Sequence, residues 1–506
     1  MNNSKLKKNI IAGFLGQLII TILGIIVPRI MLTSYGSDVN GLLCTVTQIF
    51  TYMALLEAGI GQAARNALYK PIIEGKKEDI SYVMSMAQTY YRKITCFYGL
   101  GVILLSIVMP MVLKSDVNNS TIFFVVFFEG LAGVLSFLGV ETPVTMLIAD
   151  GRGYVNTIID VMTRIFIYIF KIVLALLGCS IVYLQLGCLF ITIVKVFVYQ
   201  WYFKKHYSWI DFKKAPSKAR LNDRNSYIIT EIAWTIFSST DMIVLSIFVS
   251  TKLSSVYAIY NLIFSNLNIL LNAIYNNVNY VLGQTYHENL KKYEKVHDAF
   301  MSIFLGTMTI LMSVAYLLCI PFVQLYTRGI TDINYIYDVL PLLFCLIQIL
   351  SWSRYVGGNL TGVAGYAKET SRISLIEAML NIMLSIILVN QFGIVGVLVA
   401  TVVALPLKII WCIYISDKKV MCRSYKKTFS ILGINYLFFT AVVFVRKIFD
   451  WNININEYVS FMIYGVVITI VCSIIGIGLN FLVNPESLQL VKKLLGREKN
   501  ERGKLV

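Results

Sequence analysis

Apolar runs long enough to cross a bilayer recur along the whole chain and decide what it can fold into. The first follows Lys5, Lys7 and Lys8 and continues for more than twenty residues. An α-helix needs about 20 apolar residues to span the hydrocarbon core of a membrane. Such runs lie near residues 9–32, 41–63, 93–113, 121–146, 154–177, 182–203, 227–249, 256–281, 299–321, 334–355, 371–391, 394–415, 428–447 and 459–483. We therefore predict an all-α polytopic membrane protein with about 14 transmembrane helices.

The rest of the sequence leaves little room for a water-soluble domain. Hydrophobic residues make up 57% of the 506 residues and charged residues 14%, whereas soluble domains contain about 25% charged residues. The sequence has no glycine-rich phosphate-binding loop, and its three histidines lack metal-ligand spacing. We predict that the chain is not an enzyme and holds no metal or other cofactor, apart from a possible coupling ion.

Basic residues are concentrated on one side of the predicted membrane segments. The two ends of the chain and alternate loops hold most of the 44 lysines and arginines, whereas the opposite loops hold Lys114, Lys252, Arg328, Arg446 and Lys447. Short loops rich in Lys and Arg stay in the cytoplasm. Both termini are therefore predicted to be cytoplasmic. The net charge of +17 then reflects membrane topology, and we expect no nucleic-acid partner.

An internal repeat and one basic loop predict two lobes. One constant shift of the sequence along itself places Gly153-Tyr154 on Gly365-Tyr366 and Pro28-Arg29 on Thr240-Asp241, so that six helices repeat as six in parallel topology. The predicted domains are an N-lobe at 1–203 with helices 1–6, a basic cytoplasmic linker at 204–226, a C-lobe at 227–415 with helices 7–12, helices 13–14 within 416–483, and a basic tail at 484–506.

Several cations lie inside or at the ends of the predicted spans and are candidates for binding an anion. At about 100° per residue, Asp160, Arg164 and Lys171 form one stripe along helix 5. Asp160 and Arg164 could also neutralise each other as an i,i+4 pair. Arg29, Arg65 and Arg354 lie near helix ends, where contact with lipid headgroups is the alternative. Ionisable groups in spans usually face the bundle interior or a water-filled cavity.

Buried acids and amides supply two further sets of candidates. Glu57, Glu231 and Asp241 could each carry a coupling proton or sodium ion, or could neutralise a neighbouring cation. Helix 8 combines many amides with tyrosines, a surface suited to sugar hydroxyls. Its candidate residues are Asn261, Asn268, Asn272, Tyr257 and Tyr260. Hydrogen bonds between helices are the alternative role for these side chains.

Short motifs over residues 5–415 resemble a known family. They are Tyr35-Gly36, Asn40-Gly41-Leu42, Leu56-Glu57-Ala58-Gly59-Ile60-Gly61, Leu68-Tyr69-Lys70-Pro71, Tyr90-Tyr91-Arg92-Lys93, Thr240-Asp241, Tyr260-Asn261-Leu262-Ile263, Glu377-Ala378-Met379-Leu380-Asn381 and Phe392-Gly393-Ile394-Val395-Gly396. The sequence is similar in these segments to Wzx-type polysaccharide and O-antigen flippases of the multidrug/oligosaccharidyl-lipid/polysaccharide exporter superfamily. Fourteen helices also make the chain similar to lipid II flippases.

The resemblance implies a function, a location and partners. Such a flippase would move an undecaprenyl-diphosphate-linked oligosaccharide from the inner to the outer leaflet of the bacterial cytoplasmic membrane by alternating access, for surface polysaccharide biosynthesis. Its partners would be the lipid-linked oligosaccharide, membrane lipids and polysaccharide polymerase machinery. Helices 1, 2, 7 and 8 would line the cavity, and helix 5 departs from that set. A lipid II flippase, a multidrug exporter of the same fold, an integral-membrane polysaccharide-assembly enzyme and a non-transporting scaffold are the alternatives.

Overall fold

The computed structural model describes residues 3–57, 60–212, 235–236, 239–449, 455 and 457–488, and every regular element within them is helical. The helices are α1 Asn3–Ala54, α2 Ile60–Glu74, α3 Lys77–Val112, α4 Asn119–Gly139, α5 Glu141–Ala149, α6 Gly153–Leu176, α7 Ile181–Tyr207, α8 Ser239–Phe248, α9 Thr251–Glu288, α10 Leu290–Tyr326, α11 Leu340–Val363, α12 Ala367–Ile413, α13 Lys426–Ile448 and α14 Tyr458–Val483. A 3-10 turn, Leu55–Glu57, lies between α1 and α2. The predicted all-α fold is confirmed.

Many of these helices have the length and surface of membrane spans. Within the described residues, nine helical segments are long and apolar enough to cross a membrane. Helix α12 has 47 residues, which at about 1.5 Å per residue is more than twice the hydrocarbon thickness of about 30 Å. Large apolar side chains such as Phe97, Leu104 and Ile474 are exposed, as expected where lipid replaces water. The chain is therefore a multi-pass membrane protein, and about 14 spans fit its described helices.

Glycines with positive φ interrupt the two longest helices. Gly36 has φ +80° in α1, and Gly393 has φ +54° in α12; both values favour glycine because it has no Cβ. Across the second break, Asn381 Nδ2 donates to Thr401 Oγ1 at 2.8 Å. In an unbroken helix these residues would lie about 30 Å apart. The chain therefore reverses at Gly393, and α12 contains two spans that match predicted helices 11 and 12.

The helix that follows Gly36 is capped by a residue far along the chain. The backbone N–H of Ser37 donates to Asp332 Oδ2 at 2.8 Å, and the Ser37 hydroxyl donates to Asp332 Oδ1 at 2.6 Å. Free N–H groups at a helix N-terminus favour a carboxylate both as acceptor and as negative charge. Asp332 thus stabilises the start of the second half of α1.

The structure differs from the prediction at several loops and helices. The predicted loops 64–92 and 282–298 are largely helical, because α2 and α3 are separated only by Gly75 and Lys76, and α9 and α10 only by Asn289. High hydropathy identifies only the part of a helix that lies inside the bilayer. It does not identify the polar residues by which the same helix continues beyond the bilayer. Conversely, the predicted helices 41–63 and 121–146 are interrupted, the first at Leu55–Glu57 and the second between α4 and α5.

The chain forms two compact units. The first contains residues 1–258 and 329–333, and the second contains 259–328 and 334–506. One apolar core of the first unit joins α1, α3, α4 and α7, and a second core joins α2, α3, α5 and α7. In the second unit, α10 packs against α13 and α14. Residues 213–226 of the predicted linker lie outside the described residues, and the predicted lobe boundaries stay predictions.

Candidate functional site

Six polar side chains come together inside the first unit through helices that pack around α5. They are Glu57, Arg65, Tyr91, Glu141, Asp160 and Lys195, and we refer to them as the N-terminal polar cluster. Helix α5 packs against α2, α3, α6 and α7, and these helices supply four members of the cluster. Glu141 is the first residue of α5 itself. The apolar packing around α5 therefore gathers these groups in one place.

The acidic half of the cluster is a pair of carboxyl groups. Glu57 and Glu141 lie close enough for their charges to interact, and the Tyr91 hydroxyl donates to Glu57 Oε1 at 3.2 Å. A Cβ atom at Gly61 would lie 3.1 Å from the Tyr91 hydroxyl and 3.2 Å from Arg65 Nη1. The absence of a side chain at Gly61 thus lets a tyrosine and an arginine approach the pair, which explains two motifs of the family resemblance.

The other half of the cluster is an ion pair between two helices. Lys195 Nζ of α7 lies 2.7 Å from Asp160 Oδ1 of α6. The i,i+4 pair of Asp160 with Arg164, left open by the sequence, is thus replaced by a pair across helices. Arg164 is exposed and Lys171 is half-buried, and neither forms an ion pair within the part of the chain that the structure describes.

Helix α6 corresponds to predicted helix 5. Its charged residues lie on one face of the helix, away from its exposed apolar surface. At about 100° per residue, Asp160, Arg164 and Lys171 fall within about 40° of one another. The exposed side chains of Met162 and Phe166 lie about 160–240° away from this stripe. Because the apolar face suits lipid, the charged stripe faces another environment. Two cations without an ion pair make that environment suitable for an anion.

The remaining predicted residues of the first unit are less accessible. Arg29 and Arg65 are half-buried. Asp241, on α8, is 5% exposed, and its Oδ2 accepts a hydrogen bond of 3.0 Å from the Tyr257 hydroxyl. Asp241, a predicted ion-coupling residue, is therefore hydrogen-bonded to Tyr257, a predicted glycan contact. Glu231 lies outside the described residues.

The second unit contains a buried ion pair. Arg354 Nη1 donates to both carboxylate oxygens of Glu377, at 2.8 and 3.0 Å, and both residues are buried. Lys408 is a further cation close to the pair. The charge of Arg354 is thus already compensated by protein, although its predicted role in binding diphosphate stays a prediction.

Helix α9 contains predicted helix 8, and some of its amide and tyrosine side chains are buried whereas others are accessible. The Tyr260 hydroxyl is buried and donates to the Tyr335 carbonyl at 2.9 Å, and Asn268 Oδ1 accepts from Trp352 Nε1 at 2.8 Å. Asn272 is exposed and Asn261 is half-buried. Tyr260 and Asn268 therefore form contacts within the protein, and Asn272 and Asn261 are the more accessible glycan candidates.

Charged residues of the two units fall at corresponding positions of the predicted repeat. One constant spacing along the sequence, a single position longer than that of the Gly-Tyr pairs, relates Glu141 to Arg354, Arg164 to Glu377, and Lys195 to Lys408. Four of these charged residues, Glu141, Glu377, Lys195 and Lys408, were not among the predicted site residues, and neither was Tyr91. The constant spacing of intramembrane charges is the signal by which the four could have been found.

Comparisons with known proteins give a fold. No protein-family model matches the sequence, and no curated protein matches it either. The structure is similar to that of "Lipid II flippase MurJ, inward closed conformation", with a TM-score of 0.66 and 17% identity over 94% of this chain and 98% of that chain. It is also similar to an inward-facing multidrug resistance MATE family transporter of the MOP superfamily, with a TM-score of 0.63 and 14% identity over 78% of this chain and 93% of that one.

A third similar structure is that of a MOP superfamily transporter from Pyrococcus furiosus, with a TM-score of 0.56 and 12% identity over 83% of this chain and 96% of that chain. The chain thus has the fold of MOP superfamily transporters, which is the superfamily that the motifs resemble. The three proteins named are transporters or a flippase and not enzymes, in agreement with the expectation for this chain. Membership of the Wzx type stays a prediction.

Proposed function

We propose that this chain is a flippase that moves an undecaprenyl-diphosphate-linked oligosaccharide from the inner to the outer leaflet of the bacterial cytoplasmic membrane, for surface polysaccharide biosynthesis. The observation that carries the proposal is the extent of the similarity to the lipid II flippase, a protein whose name gives a lipid as its substrate. That similarity covers 94% of this chain, against 78% for the multidrug transporter.

The charges of α6 support an anionic substrate. After Asp160 pairs with Lys195, Arg164 and Lys171 leave a net positive stripe on a face opposite to the exposed apolar side chains. A diphosphate carries negative charge and accepts hydrogen bonds from arginine and lysine. We therefore assign the diphosphate to Arg164 and Lys171 first, and the glycan to the accessible amides of α9. Arg29, Arg65 and Arg354 remain proposed secondary contacts.

An ion gradient is the proposed source of energy, because alternating access needs a bias between two states and a bound ion can supply it. Glu57, within the N-terminal polar cluster, and Asp241 are the described candidate groups for a proton or sodium ion. We place both termini in the cytoplasm, and polymerase machinery outside would consume the product. Neighbouring membrane lipid would accommodate the polyprenyl chain.

Transport in proteoliposomes tests the proposal. A defined polyprenyl-diphosphate oligosaccharide with a fluorescent label is placed in vesicles with the purified chain, and an impermeant quencher reports its appearance in the other leaflet. We expect faster exchange than in protein-free vesicles, and slower exchange with Arg164→Ala. Movement of lipid II in place of the oligosaccharide would support a lipid II flippase. Movement of a cationic drug without either lipid would support the multidrug exporter and contradict the proposal.

A further inference from the structure

A short basic segment of the second unit connects α12 to α13. Helix α12 is followed directly by a π-helical turn, Tyr414–Val420, and α13 begins at Lys426. Turns of this kind are rare and are found frequently at functional sites. The segment contains several cations close together in the sequence, which are Lys418, Lys419, Arg423, Lys426 and Lys427.

Acidic residues nearby bind only two of these cations. Arg423 Nε donates to Asp417 Oδ1 at 2.8 Å, and its two terminal nitrogens donate to the carboxylate of Asp298 at 2.6 and 2.7 Å. Lys427 Nζ lies 2.9 Å from Glu486 Oε2 and 3.2 Å from Asp298 Oδ2. These ion pairs hold the segment against the start of α10 and the chain after α14. They also use the negative charge of all three acids.

The other three lysines supply positive charge in excess. Lys418, Lys419 and Lys426 are exposed, and none of them is in an ion pair within the residues that the structure describes. Lys418 Nζ lies 5.2 Å from the centre of the Tyr425 ring, and Lys419 Nζ lies 5.8 Å from that of Tyr414. We refer to these three lysines and two tyrosines as the basic surface. Its net charge favours an anion.

Apolar side chains next to the basic surface place it at the edge of the bilayer. Ile410, one helical turn before Tyr414, is exposed, and so is Phe429, one turn after Tyr425. Exposed apolar side chains on spans suit the lipid tails, whereas tyrosines and lysines at the ends of spans lie at the level of the headgroups. The basic surface is therefore at the depth at which lipid phosphates lie.

The first unit contains part of the same arrangement. The constant spacing that relates the charged residues of the two units also relates Trp201 to Tyr414 and Lys205 to Lys418. Trp201 is exposed near the end of α7, and Lys205 Nζ lies 5.0 Å from the centre of its ring. An exposed aromatic ring with a lysine beside it thus occurs at corresponding helix ends of both units. This is expected if both ends meet the same lipid headgroups.

We propose that the basic surface binds the phosphate of an anionic phospholipid. The lipid belongs to the leaflet next to this segment, which the charge distribution predicts to be the cytoplasmic one. Lysine ammonium groups donate to phosphate oxygens, and clusters of basic residues directly after a span are typical of anionic-lipid recognition. A zwitterionic headgroup has no net charge with which to balance three lysines. The inference goes beyond the proposed function, because this phospholipid is a bound partner and not the transported substrate.

Lysine labelling in the wild-type protein tests where the lipid binds. The purified full chain is placed in nanodiscs of phosphatidylcholine alone or mixed with phosphatidylglycerol, and mass spectrometry measures how fast an amine-reactive reagent modifies each lysine. We expect phosphatidylglycerol to slow modification of the three lysines of the basic surface severalfold. Lys291 and Lys295, which are exposed in the same unit, should keep their rates.

Removal of charge tests the affinity. The variant carries Lys418→Gln, Lys419→Gln and Lys426→Gln, and the matched control carries Lys291→Gln, Lys295→Gln and Lys368→Gln. Native mass spectrometry in detergent measures the binding of phosphatidylglycerol and of phosphatidylcholine to each. One lysine near an anionic lipid surface contributes a factor of about five, so the variant should bind phosphatidylglycerol about a hundredfold more weakly. The control should bind it as wild type does, and binding of phosphatidylcholine should not change.

Several results would overturn the site. Equal slowing of modification at Lys291 and Lys295, or equal weakening in the two triple variants, would mean a diffuse effect of charge. Protection of the basic surface by inorganic phosphate in phosphatidylcholine nanodiscs, as strong as that by phosphatidylglycerol, would mean a site for small anions and not for a lipid. If the variant fails to accumulate as folded protein, the labelling of wild type decides alone. Neither measurement uses a lipid-linked oligosaccharide, so failure of the proposed function would leave both results valid.

Discussion

Charged side chains within the spans occupy two different environments in this protein. Arg164 is exposed, and the structure shows no ion pair for it within the described residues. Arg354 is buried and held by Glu377. An ionisable group in a span is costly unless it has a partner or access to water. Arg164 is therefore accessible to a ligand, whereas Arg354 already has its counter-charge. Substitution of Arg164 should affect substrate binding, and substitution in the Arg354–Glu377 pair should affect stability.

Arg164→Ala should weaken substrate handling without loss of protein. The side chain is exposed, so its removal leaves no buried group uncompensated. A hydrogen bond to a charged group contributes about 1.5–3 kcal/mol, which corresponds to a fall in apparent affinity for the lipid diphosphate of about tenfold or more. The matched control is Met162→Ala, on the opposite exposed face of the same helix. Flipping assays and membrane abundance are measured together, and a large fall in Arg164→Ala abundance would contradict this prediction.

Glu377→Gln should destabilise the second unit more than Arg354→Met does. Loss of the carboxylate leaves Arg354 and Lys408 as two neighbouring cations, and breaking a buried pair costs about 3–5 kcal/mol. Loss of Arg354 leaves Glu377 with Lys408 close by, so part of the compensation survives. Thermal unfolding in detergent measures both variants. Equal losses of stability would show that Lys408 does not compensate Glu377.

Helix packing at Gly41 depends on a close approach of two backbones. A Cβ at this position of α1 would lie 1.7 Å from the carbonyl oxygen of Thr251, where α9 begins. Next to this contact, Asn40 Nδ2 donates to Ser255 Oγ at 2.7 Å. The Asn40-Gly41 motif of the sequence therefore has a structural explanation, since an amide and a missing side chain together hold α1 against α9.

Gly41→Ala should lower the thermal stability of the protein markedly, because the rigid backbone of Thr251 must move by more than an ångström. Gly24→Ala in the same helix is the control. No atom lies within 4 Å of a Cβ at Gly24, and alanine favours a helix by about 1 kcal/mol over glycine. A normal unfolding temperature for Gly41→Ala, with Gly24→Ala unchanged or higher, would mean that the close approach is not required.

Sequence patterns locate the helices better than their interruptions. The predicted helices 371–391 and 394–415 meet near Gly393, and the structure places a reversal there, because glycine adopts a positive φ. The break at Leu55–Glu57 contains no proline, and hydropathy gives no sign of it. The break at Val140 comes just before Pro143, in the first turn of α5. A proline has no N–H to donate to the preceding turn and is tolerated at the start of a helix, so this break has a signal in the sequence that hydropathy alone does not show.

The contacts of the polar cluster are still harder to foresee. Asp160 has Arg164 one helical turn away, yet it binds Lys195 of the next helix. Glu57 and Glu141 lie far apart in the sequence, with the whole of α2, α3 and α4 between them. The residue types show which charges lie within the predicted spans, but their pairing depends on how α5, α6 and α7 are rotated. That rotation follows from many small apolar contacts and not from a local motif.

At the scale of the whole molecule, membrane orientation is open to a direct test. Cys422 is exposed and lies in the loop at 416–427 that the charge distribution predicts to be cytoplasmic. In a Cys179→Ser background, which removes the cysteine of the predicted outer loop between α6 and α7, a membrane-impermeant maleimide should therefore label the protein only after the membrane is opened, and Cys422→Ser should lose that labelling. Strong labelling of Cys422 in intact cells would place this loop, and with it the predicted termini, on the outside.

The bond between Ser37 and Asp332 has a consequence for how the protein is made. Residues 329–333 belong to the first unit, although the chain on both sides of them belongs to the second. The N–H of Ser37 acquires its acceptor only after a further 295 residues have left the ribosome. At about 5–20 residues per second, that interval is roughly 15–60 s. During this interval the first half of the protein is in the membrane while the helix after Gly36 still lacks its cap. This is the time in which an insertase or a chaperone can bind and stabilise it.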